Sequence, residues 1–153
     1  MTEHGLDLSD DFTGRPGAAF VVGGSGGLGA AVVRELAARG SHVAFTYRQN
    51  DASAAQLAQT VSDLGRQAWT IGLDLRNHDG CAQAIDAIAE AAGGIHTLVY
   101  AAGPHVPQKH LSKVTPAEMQ EQLDADASGF FAVASLALPH LRQTEGSIVA
   151  LTT

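Results

Sequence analysis

The stretch Gly23-Gly24-Ser25-Gly26-Gly27-Leu28-Gly29 packs five glycines into seven positions. Glycine tolerates positive φ and lets backbone N–H groups approach a ligand, so such a run suits a phosphate held by main-chain amides. A flexible joint is the competing reading, but polar linker sequence does not follow. The apolar run Ala18 to Val22 precedes the glycines, and Ala30 to Ala38 continues them with helical character. Two spacings overlap: G-x-G-x-x-G at Gly24, Gly26 and Gly29, and G-x-x-x-G-x-G at Gly23, Gly27 and Gly29. Other chemistry is sparse. No His/Cys/Asp cluster has metal-ligand spacing, and no G-x-S-x-G marks a hydrolase nucleophile. Cys81, the single cysteine, reads as a small buried hydrophobe and leaves no intramolecular disulfide.

The elements that must position these residues alternate between strand and helix. Ala18 to Val22 reads as a strand, and Leu28 to Arg39 as a helix closed by Gly40. Val43 to Tyr47 is a second strand, followed by a helix on Ala54, Leu57, Val61 and Leu64, capped by Asp51 or Ser53 and ended by Gly65. Trp69 to Leu73 is a third strand. A helix from about Asp79 to Ala92 buries Cys81, Ile85, Ile88 and Ala89, and Thr97 to Ala101 is a fourth strand. Thr115-Pro116-Ala117-Glu118 supplies an N-cap, a first-turn proline and a capping-box Glu. Helical sequence then runs to about Arg142, with bends expected near Asp126 to Gly129 and near Pro139, before a fifth strand at Ser147 to Leu151. Strands alternating with helices of this length imply a doubly wound α/β fold with a parallel, Rossmann-like sheet, which binds ligands beyond the carboxyl ends of its strands.

The bulk properties agree. The 153 residues suit one domain, read as a polar lead over 1–17 and a folded unit over 18–153. A hydrophobic fraction of 45% with only 5% aromatics describes a core of Ala, Val, Leu and Ile. A net charge of −7 with nine scattered basic residues argues against nucleic acid as a partner. The first twenty residues lack the apolar stretch of a secretory signal, and the apolar run Phe130 to Leu138 falls short of the roughly 18 residues of a membrane span. The expectation is a soluble cytoplasmic protein.

The motifs together resemble the short-chain dehydrogenase/reductase family. Val22-Gly23-Gly24-Ser25-Gly26-Gly27-Leu28-Gly29 is similar to its T-G-x-x-x-G-x-G signature, which selects the Gly23, Gly27, Gly29 spacing. Leu73-Asp74-Leu75 resembles the family's adenine-contacting aspartate segment, and Tyr100-Ala101-Ala102-Gly103 its N-N-A-G motif with both asparagines replaced. The resemblance implies a nicotinamide dinucleotide on Gly23, Ser25, Gly26, Gly27, Leu28 and Gly29, on Asp74 and Leu75, and on Ala101, Ala102 and Gly103. It also implies hydride transfer to or from a small carbonyl or alcohol. Dinucleotide folds that prefer NAD(H) carry an acid at the end of the second strand, where this chain has Arg48, so NADP(H) is expected over NAD(H).

The family's Tyr-x-x-x-Lys pair has no counterpart in these residues: Asp51 stands four after Tyr47 and Pro104 four after Tyr100. Thr153 falls at the family's serine position and Asp126, in Asp126-Ala127-Ser128-Gly129-Phe130-Phe131, at its helix asparagine. The expectation is therefore the cofactor-binding part of such an oxidoreductase, with the catalytic pair in a C-terminal half beyond Thr153. The alternatives are a non-catalytic dinucleotide-binding or regulatory module, and an enzyme improvised from Thr153, His105 and Lys109. Without further strands beside the fifth, Ile148 to Leu151 should form an unpaired edge. The apolar sequence around Phe130, Phe131, Val133, Leu136 and Leu138 should leave a patch suited to self-association or to a missing half.

Overall fold

The computed structural model describes residues 11–103 and 109–151. Strands β1 (Ala18–Val22), β2 (His42–Tyr47), β3 (Ala68–Gly72), β4 (Ile95–Tyr100) and β5 (Ser147–Ala150) form a parallel sheet in the order β3-β2-β1-β4-β5. The helices are α1 (Gly27–Ala38), α2 (Asp51–Asp63), α3 (His78–Ala92), α4 (Pro116–Leu123) and α5 (Gly129–Gln143). The chain is thus the doubly wound, Rossmann-like α/β unit that its strand-helix alternation implies.

Both faces of the sheet are covered, which is why the central strands are apolar throughout instead of alternating with polar residues. Phe20 and Val22 of β1, Ala44 of β2, and Leu98 and Tyr100 of β4 point to one face. They pack there with Cys81, Ile85 and Ile88 of α3 and Val133, Ala137 and Leu141 of α5. The intervening residues Val21, Val43, Phe45 and Val99 point to the other face, against Val33 and Ala37 of α1 and Ala54, Leu57 and Val61 of α2. All five residues of β1 are completely buried, so the chain entering the glycine turn leaves a rigid strand.

Several local expectations are corrected. The cap of α2 is Asn50, whose side-chain oxygen accepts from Ser53 N at 3.0 Å, and Asp51 is the first helical residue. Asn77 likewise caps α3 by accepting from Gly80 N at 3.1 Å, so α3 opens at His78. Both asparagines directly precede an apolar-periodic segment and satisfy an amide that the helix leaves unpaired. The long helix expected after Thr115 is two helices joined by a π turn over Asp124–Ser128, at the site of the expected bend. Pro139 lies inside an unbroken α5. Residues 11–17 lie against the domain: Phe12 N donates to Arg39 O at 3.0 Å, and the Phe12 ring stacks on His96 with centroids 5.3 Å apart.

The capping box of α4 is complete. Glu118 N donates to Thr115 Oγ1 at 3.2 Å, and Thr115 N donates to Glu118 Oε2 at 2.9 Å. Thr115→Ala is expected to destabilise α4 by about 1 kcal/mol, visible as faster amide exchange across that helix in comparison with α3. Equal exchange in variant and parent would discount the cap. At the opposite end of the fold, the residues of β5 are exposed at the sheet edge, and Phe131 of α5 is 73% exposed. Among the described residues no helix is long and apolar enough to cross a membrane.

Candidate functional site

The carboxyl ends of β1, β2, β3 and β4 converge on the glycine turn. Gly23 takes φ +77°, and a Cβ on it would stand 2.8 Å from the Ala102 backbone. A Cβ on Gly24 would stand 2.5 Å from Phe45 Cβ, and one on Gly29 only 2.2 Å from Gly23 O. These three positions are closed to any side chain by the protein itself. Gly27 differs, because a Cβ there would meet nothing within 4 Å among the described residues. The space in front of Gly27 is open to a ligand, and the backbone amides of the first turn of α1 border it.

Among the described residues no side chain caps those amides. Helices α2, α3 and α4 each begin on a side-chain cap and carry an acid in the first turn, whereas α1 begins at Gly26 with neither. An uncapped N-terminus with no acid beside it keeps its orphan N–H groups and positive dipole end for an anion. The pyrophosphate of the dinucleotide that the resemblance implies therefore fits the residues present. Ser25 is half-buried in the turn, and Leu28 beside Gly27 is 69% exposed.

The turn is braced by a residue that sequence reading missed. Thr46, buried near the end of β2, accepts from Gly23 N at 2.9 Å through its Oγ1. Its signal in the sequence was a lone hydroxyl in the apolar run Val43 to Tyr47. Ala101 N donates to Val22 O at 2.9 Å, which extends the β1–β4 ladder and brings Ala101 and Ala102 against the glycine turn, with Gly103 next in the chain.

On the other side of β1, an open cleft of about 590 Å³ is lined by Tyr47, Arg48, Gln49, Asp51, Gly72, Leu73, Asp74 and Arg76. Its volume lies within the usual range for small-ligand clefts. Arg48 is exposed at its edge. Asp74 accepts from Arg76 through both carboxylate oxygens, with Nη2 to Oδ2 at 2.6 Å and Nε to Oδ1 at 3.0 Å. The Arg76 guanidinium holds the Asp74 carboxyl at about 2, below the usual carboxylate range, with the Arg76 backbone N–H adding to the effect. Leu75, between them, is half-buried and packs on the α3 side of the core.

Beyond β4, the π turn brings Asp126 to the strand end: its Oδ1 lies 3.7 Å from where a Gly103 Cβ would stand. Tyr100 is buried, its ring edge-on to Phe130 with centroids 5.5 Å apart. Burial, with the nearby Asp126 charge, pushes its phenol up to about 12, which unsuits it to proton transfer near neutral pH. Lys109 is ion-paired with Glu118, whose carboxyl it holds down at about 2, and is thereby occupied on α4. Thr153 and His105 lie outside the described residues. Among the described residues no group of His, Cys, Asp and Glu could hold a metal ion.

Comparison with known proteins agrees with this geometry. The family model for short chain dehydrogenases matches residues 17–153. Acetoacetyl-CoA reductase of Paracoccus denitrificans is 33% identical over 113 residues, covering 74% of this chain and 44% of the relative. A short chain dehydrogenase from Burkholderia cenocepacia, solved in complex with NADP, superposes with a TM-score of 0.79 at 31% identity over 89% of this chain and 55% of that one. Carveol dehydrogenase from Mycobacterium avium, solved in complex with NAD, gives 0.77 at 25% identity over 90% and 55%. This chain spans about half the length of these relatives. A parallel sheet with an open, uncapped glycine turn at its carboxyl end and a family match over nearly all its residues identify the chain as a member of the short-chain dehydrogenase/reductase family.

Proposed function

We propose that this chain binds a nicotinamide dinucleotide, NADP(H) in preference to NAD(H), as the cofactor-binding part of an oxidoreductase that interconverts a small alcohol and a carbonyl. When bound, the dinucleotide supplies or accepts the hydride. The chain's own residues bind and orient it. The first-turn amides of α1 hold the pyrophosphate, with Gly27 leaving room for it, and Ala101 to Gly103 line the path toward the substrate side. Asp126 stands beside that path.

The observation that carries the NADP(H) reading is Arg48, directly after β2 and exposed on the cleft, with no side-chain hydrogen bond or ion pair among the described residues. A free guanidinium fork there suits a 2′-phosphate dianion. Fluorescence titration with NADPH and NADH tests it. Arg48→Ala is expected to weaken NADPH by about tenfold and NADH by less than about twofold. Equal losses would overturn the assignment.

One observation favours NAD(H) instead: Asp51, at the start of α2, lines the same cleft and could accept from a ribose 2′-hydroxyl. In that case Asp51→Asn would weaken NADH selectively and Arg48→Ala would not discriminate. The tyrosines bear on the alternative of a binding module without catalysis. Tyr100 is buried, and neither it nor Tyr47 is followed four residues on by a lysine. A steady-state assay with NADPH and simple ketones tests the third reading, the improvised enzyme, since the cofactor-binding part and the binding-only module both predict no turnover by these 153 residues alone.

A further inference from the structure

At the amino ends of β1 and β4, the far end of the sheet from the glycine turn, residues 11–16 cross the floor of the fold. Phe12 N donates to Arg39 O at 3.0 Å, Asp11 pairs with Arg39 at 3.6 Å, and Arg15 Nη2 donates to Glu145 O at 3.3 Å. The segment thus touches the end of α1 and the turn between α5 and β5. Phe12 is half-buried, and residues 11 and 13–16 are exposed. Gly17, buried at φ +89°, carries the chain into β1, where Ala18 N donates to Gly94 O at 3.0 Å.

Beneath the segment lies His96, completely buried, with the Phe12 ring stacked on it at 5.3 Å and 21° between planes. The Ser41 hydroxyl donates its single hydrogen to His42 O at 2.6 Å. Toward His96 Nε2, 3.2 Å away, it can therefore only accept, which assigns the imidazole hydrogen to Nε2. Nδ1 is then the acceptor, receiving from Thr97 Oγ1 at 2.9 Å. A second proton must go to Nδ1, where it would turn away the hydroxyl hydrogen of buried Thr97 and place a charge in a site closed to water. Besides burial, Arg15 of the segment and His42 of β2 act on the ring, and neither stabilises an imidazolium. Asp11 is engaged by Arg39, and Glu145 meets the segment through its carbonyl.

A protonated His96 can reach water by two routes. Opening the sheet would break the ladders of β4 with β1 and β5, whereas lifting Phe12 breaks only contacts at the protein surface. The second route costs far less. We propose that residues 11–16 form an acid-responsive strap, hinged at Gly17, which Phe12 latches over neutral His96 and which protonation of His96 releases while the sheet stays closed. The latched state excludes the proton, and the released state binds it near the ordinary imidazole value of 6.5. Acid therefore favours release from pH 6.5 downward, until near 4 the latched state takes the proton too.

The test is amide hydrogen exchange by NMR on the full chain, corrected for intrinsic rates, in the parent, His96→Gln and Phe12→Ala. Protection of the Phe12 amide is expected to fall by about tenfold per pH unit between pH 6.5 and about 4 in the parent, and to stay within about twofold in His96→Gln. Urea below the unfolding transition should speed exchange in β1 and leave Phe12 unchanged, because lifting the strap exposes little surface. Phe12→Ala should move the imidazole titration of His96 up toward 6.5, a readout that holds even if His96→Gln fails to fold. Phe12 and β1 amides exchanging at one rate with one urea dependence would mean that His96 is protonated only on global unfolding, and the strap would be refuted. A pH-independent Phe12 amide, an equal fall in His96→Gln, or an unmoved His96 titration in Phe12→Ala would equally overturn it.

Discussion

Gly29→Ala is expected to unfold the domain or lower its stability by more than about 3 kcal/mol, whereas Gly27→Ala should leave the melting temperature unchanged or slightly raised. The two glycines lie two residues apart in the same turn, and their environments are opposite. A methyl on Gly29 would have to occupy space 2.2 Å from Gly23 O and 2.9 Å from Gly24 Cα, both backbone atoms with no rotamer to yield. A methyl on Gly27 meets nothing within 4 Å, and alanine is the better helix former there. If the pyrophosphate lies in front of Gly27, the same methyl blocks it. NADPH and NADH affinity should then fall together by at least about tenfold in a fully folded variant. A folded Gly27→Ala protein with parental affinity for both would place the phosphates elsewhere. A Gly29→Ala protein as stable as its parent would mean that the turn can open, contrary to its packing.

Acid should unfold this chain through His96. The side chain is completely buried at the start of β4, with Nδ1 2.9 Å from Thr97 Oγ1 and Nε2 3.2 Å from Ser41 Oγ, and Phe12 stacks on its ring. Burial lowers its pKa to about 4, and the nearby Arg15 and His42 charges add to the effect. The unfolded imidazole titrates near 6.5, so between pH 6.5 and about 4 the unfolded state binds a proton that the folded state excludes. Stability from this group is therefore complete above pH 6.5 and is lost as pH falls toward 4. The total is about 3 kcal/mol, at roughly 1.4 kcal/mol per pH unit. Urea unfolding across this window should show that slope in the parent and a flatter one in His96→Gln, whatever the variant's absolute stability. Identical slopes would assign the acid sensitivity to other groups. Asp74 and Glu118, both held at about 2, lose their native advantage only at lower pH, as it falls from the ordinary carboxylate range toward 2. The two windows are separable.

Much of this was legible in sequence because it is local. Burial of strand residues on both faces leaves continuous apolar runs such as Ala18 to Val22, and helix ends are marked by residues whose own backbone or side chain does the work. Gly40 at φ +98°, Gly65 at +74° and Gly93 at +74° close α1, α2 and α3. Thr115 and Glu118 open α4 as their spacing implies. The asparagine caps at Asn50 and Asn77 were equally local and were missed only because neighbouring Asp and Ser residues are caps of similar preference.

The alternation of elements, read from sequence alone, was enough to establish a doubly wound sheet, while the glycine turn pointed to a phosphate cradle and Arg48 after the second strand to which dinucleotide. Tertiary structure alone decided which strand ends meet. The order β3-β2-β1-β4-β5 sets Arg48 beside Asp74, sets Thr46 under Gly23, and brings the π turn's Asp126 to Gly103. It also separated Gly29, which the fold itself requires, from Gly27, which it leaves open. Periodicity and capping depend on residues within one or two turns of each other and so are written in the sequence. Strand order and the space beside a glycine depend on atoms tens of residues away, and these exist as neighbours only after the chain has closed its core.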